Sequence, residues 1–326
     1  MDNTIVRPDD QGTRTERDPM GDLQIPADAY YGVQTARAIA NFPISGRLPD
    51  PLLVKAAVQV KKAAARANHA TGRLPDLLAG AIIRAADEIL GLTEATDDEA
   101  STRRERLLDA FRVDPFQAGA GVSHNMNTNE VLANRAIELL GELGVGSGQR
   151  GDYGVVSPND HVNMAQSTND TFPTAMRVAT LDRVSELLAG LDELADAFEE
   201  RAVAFDGVLK SGRTHMQDAV PIRLGQEFAA YGLTIRRARA RIDLAAEGLA
   251  EQNIGATAVG TGLNAEPEYT RLVVGFLSEQ TGYRLRTAEH LVQATASMAP
   301  MLDVSAALRG LAVDLAKICE DLLLMS

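Results

Sequence analysis

The sequence predicts an all-α protein, and three observations carry that expectation. Aromatic residues make up only 4% of the 326 residues and Trp is absent, whereas sheets favour β-branched and aromatic side chains. Ala and Leu dominate the remainder, as they do in packed helices. Apolar residues also recur at spacings of three and four over long stretches, which is the pattern of one buried helix face.

Within that class, the expected organisation is an N-terminal helical domain over residues 1–150 with a mobile polar arm at 1–20. A central domain of long bundle-forming helices follows over 151–326. Pro26, Gly32 and Pro43 break the stretch 25–44 into short extended pieces. Periodicity begins near Leu52 and predicts helices over 51–70 and 74–90, separated by a turn at Thr71, Gly72 and Arg73. A third helix is expected over 129–143, before a glycine-rich break at 144–154. Leu181, Val184, Leu188, Leu191, Ala195 and Phe198 then mark a bundle seam. A second seam, Val304, Leu308, Leu311, Leu315, Ile318, Leu322 and Met325, alternates steps of four and three. It is still in register at Ser326, with no Gly, basic last turn or Pro to close the helix, so the chain reads as cut rather than finished. Such a seam needs a facing helix, either in the same chain or in another subunit.

A formal charge of -13 and a pI near 4.9 argue against a nucleic-acid partner, which requires clustered Lys and Arg. The same field opposes steering of small dicarboxylates, so an anionic substrate has to be captured by local donors. Cys319 is the single cysteine. It has no internal disulfide partner and reads as a small core hydrophobe of the last helix. No metal-ligand spacing of Cys and His occurs. The N-terminus lacks an apolar signal core, and no run approaches the ~18 apolar residues of a membrane span. The expectation is a soluble, cytoplasmic protein with no metal.

Three polar stretches lie at breaks between helical patterns. In GAGVSHNMNTNE, residues 119–130, glycines allow backbone amides to approach a ligand, and Ser123, His124, Asn125 and Asn127 supply donors before a helix N-terminus. The stretch serves equally well as an ordinary N-cap region. In SPNDHVNMAQSTNDTFPT, residues 157–174, the run Gln166, Ser167, Thr168, Asn169 and Asp170 precedes a helix expected to start near Pro173. It offers more hydroxyl and amide groups than capping uses, which points to a carboxylate-binding site. In SGRTHMQDAVP, residues 211–221, Arg213, Thr214, His215, Gln217 and Asp218 precede a long helix beginning near Leu224. A histidine beside Thr and an acid is able to orient or transfer a proton near neutral pH.

Taken in order, these stretches resemble the conserved regions of the aspartase/class II fumarase family. The resemblance starts at MGDLQIPADAYYGVQTARAIANFPIS, residues 20–45. It continues through the three stretches above to GRTHMQDAVPIRLGQEF, IGATAVGTGLN and LAVDLAKICEDL, covering nearly the whole chain. The resemblance implies a homotetramer with a shared central helix bundle and active sites built from several subunits. It implies reversible anti elimination from a substituted succinate to give fumarate, with no cofactor. Ser167, Thr168 and Asn169 then correspond to substrate-binding residues, and Thr214 and His215 to a catalytic pair at the other carboxylate or the leaving group. Asn125 and Gln166 become supporting residues.

Two departures stand out. Val122 occupies the position where the family has a substrate-contacting Thr, so either Ser123 or His124 takes over that contact or the substrate differs at that corner. The family signature GSSxMPxKxNP, which bears the serine base, does not occur in the sequence and should follow beyond Ser326. Thr168, Tyr30 and Tyr31, with DAVPIRLGQEF, look more like the ammonia-lyase branch. Ser157, where fumarases often carry His, points the same way. A class II fumarase, a lyase for another substituted succinate and a non-catalytic structural relative are the alternatives.

Overall fold

The computed structural model describes residues 12–93, 97–117 and 119–326. The chain is all-α, as expected. Its helices are α1 (Val33–Asn41), α2 (Pro51–Ala70), α3 (Asp76–Leu90), α4 (Asp98–Asp109), α5 (Val122–Glu142), α6 (Thr168–Ala204), α7 (Leu224–Ala246), α8 (Tyr269–Thr281), α9 (Leu291–Ala296) and α10 (Ala299–Met325). Strands β1 (Thr13–Asp18) and β2 (Gly21–Pro26) form one antiparallel ribbon, and β3 (Leu209–Thr214) and β4 (Gln217–Arg223) another. The short β5 (Glu251–Gln252) and β6 (Arg286–Thr287) pair in parallel.

The chain divides into two compact units. One runs to Ala179 and adds Glu251–Ser297; the other comprises Thr180–Ala250 and Met298–Ser326. This division differs from the boundary at 150. The glycine-rich segment folds back on the end of α5, where a Cβ on Gly141 would lie 2.4 Å from the Cα of Gly148. It therefore marks a close backbone approach inside the first unit.

The mobile arm needs correction as well. Residues 1–11 lie outside the described residues, but Thr13–Asp18 is a paired strand. The Arg14 guanidinium holds it, donating to the carbonyls of Pro26, Ala27, Ala29 and Tyr31 while pairing with Glu16. Residues 33–41, expected to be extended, are helical. The N–H groups that open α1 find acceptors far away in sequence: Glu130 on α5 accepts from Gly32, Gln34 and Thr35, and Glu16 accepts from Val33. A cap supplied by tertiary contact leaves no local signature.

Helix α5 begins at Val122, seven residues before the expected start. The turns before Asn129 bury His124, Asn125, Asn127 and Thr128, with Met126 the one apolar side chain among them, so apolar periodicity does not reveal them; Asn134 is buried farther along. Those amides satisfy loop backbones packed around the helix: Asn127 donates to the Ala110 carbonyl and accepts from Arg112 N, and Asn134 does the same for Tyr30 and Gly151.

In the second unit, both seams find their facing helix within the chain. Val184, Leu191 and Ala195 of α6 and Val304, Leu311 and Ile318 of α10 are buried with Tyr231, Ile235, Ala238 and Ile242 of α7. Arg236 ties α7 to α6 through Asp192, Asp196 and Glu199. Cys319 is exposed. It follows the seam residue Ile318, and the ~100° turn per residue carries it off the packed face. Among the described residues, no helix is long and apolar enough to cross a membrane.

Candidate functional site

The strongest polar cluster forms where α6 begins. Ser167 is its N-cap: the hydroxyl accepts from Asn169 N, and Asp170 accepts from Ser167 N at 2.9 Å, completing a capping box. The helix thus starts five residues before Pro173. That proline, which has no N–H, sits inside it without a break, because Asn253 Nδ2 takes the vacated Asn169 carbonyl at 3.1 Å. The second oxygen of Asp170 accepts from Gly255 N and Thr257 N. Burial pushes this carboxyl up to about 7, against the pull of three backbone N–H donors and of the Lys61 charge.

Capping therefore engages Asp170 and uses the Ser167 hydroxyl only as an acceptor, so the Ser167 proton and the side chains of Thr168 and Asn169 lie outside the cap. Asn169 is exposed and donates its amide to the Ala258 carbonyl at 2.7 Å. Thr168 Oγ1 accepts from Asn125 Nδ2 at 3.3 Å, so its own proton remains to be donated. Asn125 also donates to Asn163 Oδ1 and accepts from Thr171 Oγ1. Gln166 spans the loop before the helix, donating to the carbonyls of Val162 and Met164. A hydroxyl donor beside a helix N-terminus suits a carboxylate.

Gly121 holds α5 against this cluster. Its φ of +92° favours glycine, and a Cβ there would lie 2.4 Å from the Phe172 ring. Val122 is exposed and Ser123 half-buried. His124 packs edge-on against Phe172 at 5.9 Å and is 2% exposed, with neither ring nitrogen hydrogen-bonded. Burial and the nearby Lys61 hold its pKa down at about 4, so the ring is neutral. With Lys61, Asn125, Thr171 and Phe172 it lines a cavity of about 10 Å³, room for one water.

A profile of the lyase family matches residues 21–326. The aspartate ammonia-lyases of Bacillus subtilis and Escherichia coli are 47% and 46% identical over 96% of this chain, and the matches cover 62% of each relative. The chain belongs to the aspartase/fumarase lyase family. It spans about three-fifths of the length of these relatives. A class II fumarate hydratase of Halobacterium salinarum is 50% identical over 87% of the chain and 56% of its own length. Among solved structures, a fumarate lyase:delta crystallin of Brucella melitensis bound to cobalt superposes with a TM-score of 0.87 at 43% identity, covering 95% of this chain and 64% of that one. A class II fumarase of Schistosoma mansoni gives a TM-score of 0.84 at 31% identity over the same shares.

In this lyase family member, the first unit brings together Asn125, Gln166, Ser167, Thr168 and Asn169. Thr214 and His215 belong to the second unit, on the β3–β4 ribbon. The ribbon closes with a two-residue turn in which His215 and Met216 have φ values of +49° and +61°. That geometry usually selects Asn-Gly, so the strand–turn–strand is not evident from the sequence. Both side chains are exposed. Among the described residues, no group of three or more His, Cys, Asp or Glu is placed to hold a metal ion.

The sequence reading missed Lys61, Asn163 and Asn253. Only Lys61 left a signal: it interrupts the buried stripe Val54, Val58, Ala65 at the position where an apolar residue is due.

Proposed function

We propose that the protein is an aspartate ammonia-lyase, releasing ammonia from L-aspartate to give fumarate. The observation that carries this reading is the hydroxyl and amide set at the start of α6, with Thr168 left as a proton donor beside a helix N-terminus in a member of this family. A base takes a proton from C3 and the electron pair enters the adjacent carboxylate. The resulting aci-carboxylate carries a second negative charge, and its collapse expels ammonia from C2. Preorganised donors aimed at that carboxylate lower the barrier because they bind the intermediate more strongly than the substrate.

Ser167 and Thr168 face the carboxylate, and Asn169 lies toward the leaving group. Ser123, in the turn after Val122, and the neutral His124 behind it shape the corner where the family has Thr. Asn125 and Gln166 hold the loop. Thr214 and His215 act on the second carboxylate or the leaving group. We infer a homotetramer with sites shared between subunits. Leu209, Met216 and Val220 on the ribbon and Leu302, Val313 and Leu323 on α10 are exposed apolar residues that such an assembly would cover. The single cysteine suits a reducing cytoplasm.

The test follows fumarate absorbance with L-aspartate and, separately, L-malate. Turnover of aspartate and not malate is expected. Turnover of malate alone would overturn the reading in favour of a class II fumarase, the second reading, which the Halobacterium salinarum relative favours.

A further inference from the structure

Lys61 is 1% exposed, in the middle of α2, among alanine and valine. Its ammonium has no salt-bridge partner among the described residues. It donates instead to two side-chain amide oxygens, Asn163 Oδ1 at 2.8 Å and Gln166 Oε1 at 2.9 Å. An ammonium buried on neutral acceptors is costly, and packing alone would be served better by Leu or Met. The charge therefore requires another reason.

We propose that Lys61 is a positioning residue of the carboxylate site: its buried ammonium fixes the proton order of the Asn163–Asn125–Thr168 chain and supplies the local positive charge that a dicarboxylate meets there. This rests on the proposed lyase reading.

The proton order follows from donor and acceptor chemistry. Because Lys61 has only protons to give, Asn163 and Gln166 must turn their oxygens toward it. Their amide nitrogens then donate elsewhere, Asn163 to the Gln166 carbonyl and Gln166 to Val162 and Met164. These bonds fix the turn containing Ala165, whose φ of +59° is unfavourable for alanine. With Asn163 Oδ1 fixed as an acceptor, Asn125 Nδ2 donates both to it and to Thr168 Oγ1. Thr168 is thereby an acceptor from Asn125, and its hydroxyl proton points to the ligand.

The charge argument is independent. In a chain of net charge -13, this ammonium is bonded to Gln166, two residues before the start of the helix whose N-terminus is proposed to bind an anion. Asp170 on α6, His124 on α5 and Tyr269 on α8 are the titratable groups that face this region, while Asp87 of α3 pairs with the neighbouring Lys62. His124 is neutral, and Asp170 is engaged by three backbone donors. Burial lowers the Lys61 pKa to about 7, so an arriving dianion would raise it and draw in a proton near neutral pH.

The test measures calorimetric binding of succinate, a dicarboxylate with no leaving group, to the full assembled protein in buffers of different ionisation enthalpy. Wild type should take up protons on binding near pH 7. Lys61→Met should lose that uptake and weaken succinate binding by about tenfold or more, while Lys61→Arg restores part of the affinity. Because the Lys61 charge lowers the Asp170 pKa, Asp170→Asn is measured alongside, and uptake kept in Asp170→Asn but lost in Lys61→Met belongs to Lys61. Wild-type affinity and uptake in Lys61→Met would overturn the proposal. If that variant does not fold, absence of proton uptake by wild type overturns it instead. Succinate binding with uptake but no turnover of L-aspartate would defeat the ammonia-lyase reading and leave the role of Lys61 standing.

Discussion

Asn253 donates its side-chain amide to the backbone carbonyl of Asn169, the carbonyl that Pro173 leaves without a helical donor. The same side chain accepts from Arg177 Nη1 at 2.9 Å, and Arg177 is buried with no salt bridge among the described residues, Glu251 being the carboxylate whose charge acts on it. One residue from the returning segment thus mends a proline break in α6 and holds a buried cation. Asn253→Ala is expected to destabilise the protein by about 1–3 kcal/mol for each buried group left unpaired. Urea unfolding measures this, and a change below 1 kcal/mol would sink the account.

Gly121 has no room for a side chain. In Gly121→Ala the new Cβ would overlap the Phe172 ring and the residue would be held at φ +92°. A loss of about 2 kcal/mol or more is expected, from strain and overpacking together. Phe172→Ala added to this variant should recover part of the steric share, as a double-mutant cycle would show.

Acid should weaken the fold through His124. The folded protein protonates this ring only near pH 4, whereas the unfolded chain does so near 6.5. Between these values the unfolded state binds more protons. Stability is therefore lost as pH falls through the window, by up to about 3 kcal/mol. His124→Leu should show a smaller drop in urea midpoint between pH 7 and pH 4.5; an unchanged drop would assign the acid sensitivity elsewhere.

His215 occupies a turn position that Asn accepts more readily. His215→Asn should therefore leave the ribbon and the oligomer intact, as light scattering would report, while turnover of L-aspartate falls by about a hundredfold or more. Retained turnover would remove His215 from the reaction.

Glu130 supplies an acceptor for three N–H groups at the start of α1. Glu130→Ala is expected to cost about 3 kcal/mol, since those donors lose their partner inside the protein. Amide hydrogen exchange should quicken first at Gly32, Gln34 and Thr35.

Much of the fold was legible in the sequence because helix packing repeats along the chain. The seams of α6 and α10, the helices expected over 51–70 and 74–90 and the start of α7 follow from spacing of apolar residues, a local property. The resemblance was legible for a similar reason: short polar runs at helix starts carry their chemistry in consecutive residues, as Ser167, Thr168 and Asn169 do. Tertiary structure decided whatever depends on a partner distant in sequence. Glu130 turns 33–41 into a helix, Arg14 anchors the first ribbon, and Asn253 lets α6 run through Pro173. Burial was decided there too. Lys61, an ordinary lysine in the sequence, becomes a buried ammonium only when α2, α5 and the 158–167 loop enclose it and exclude the water that would otherwise solvate its charge.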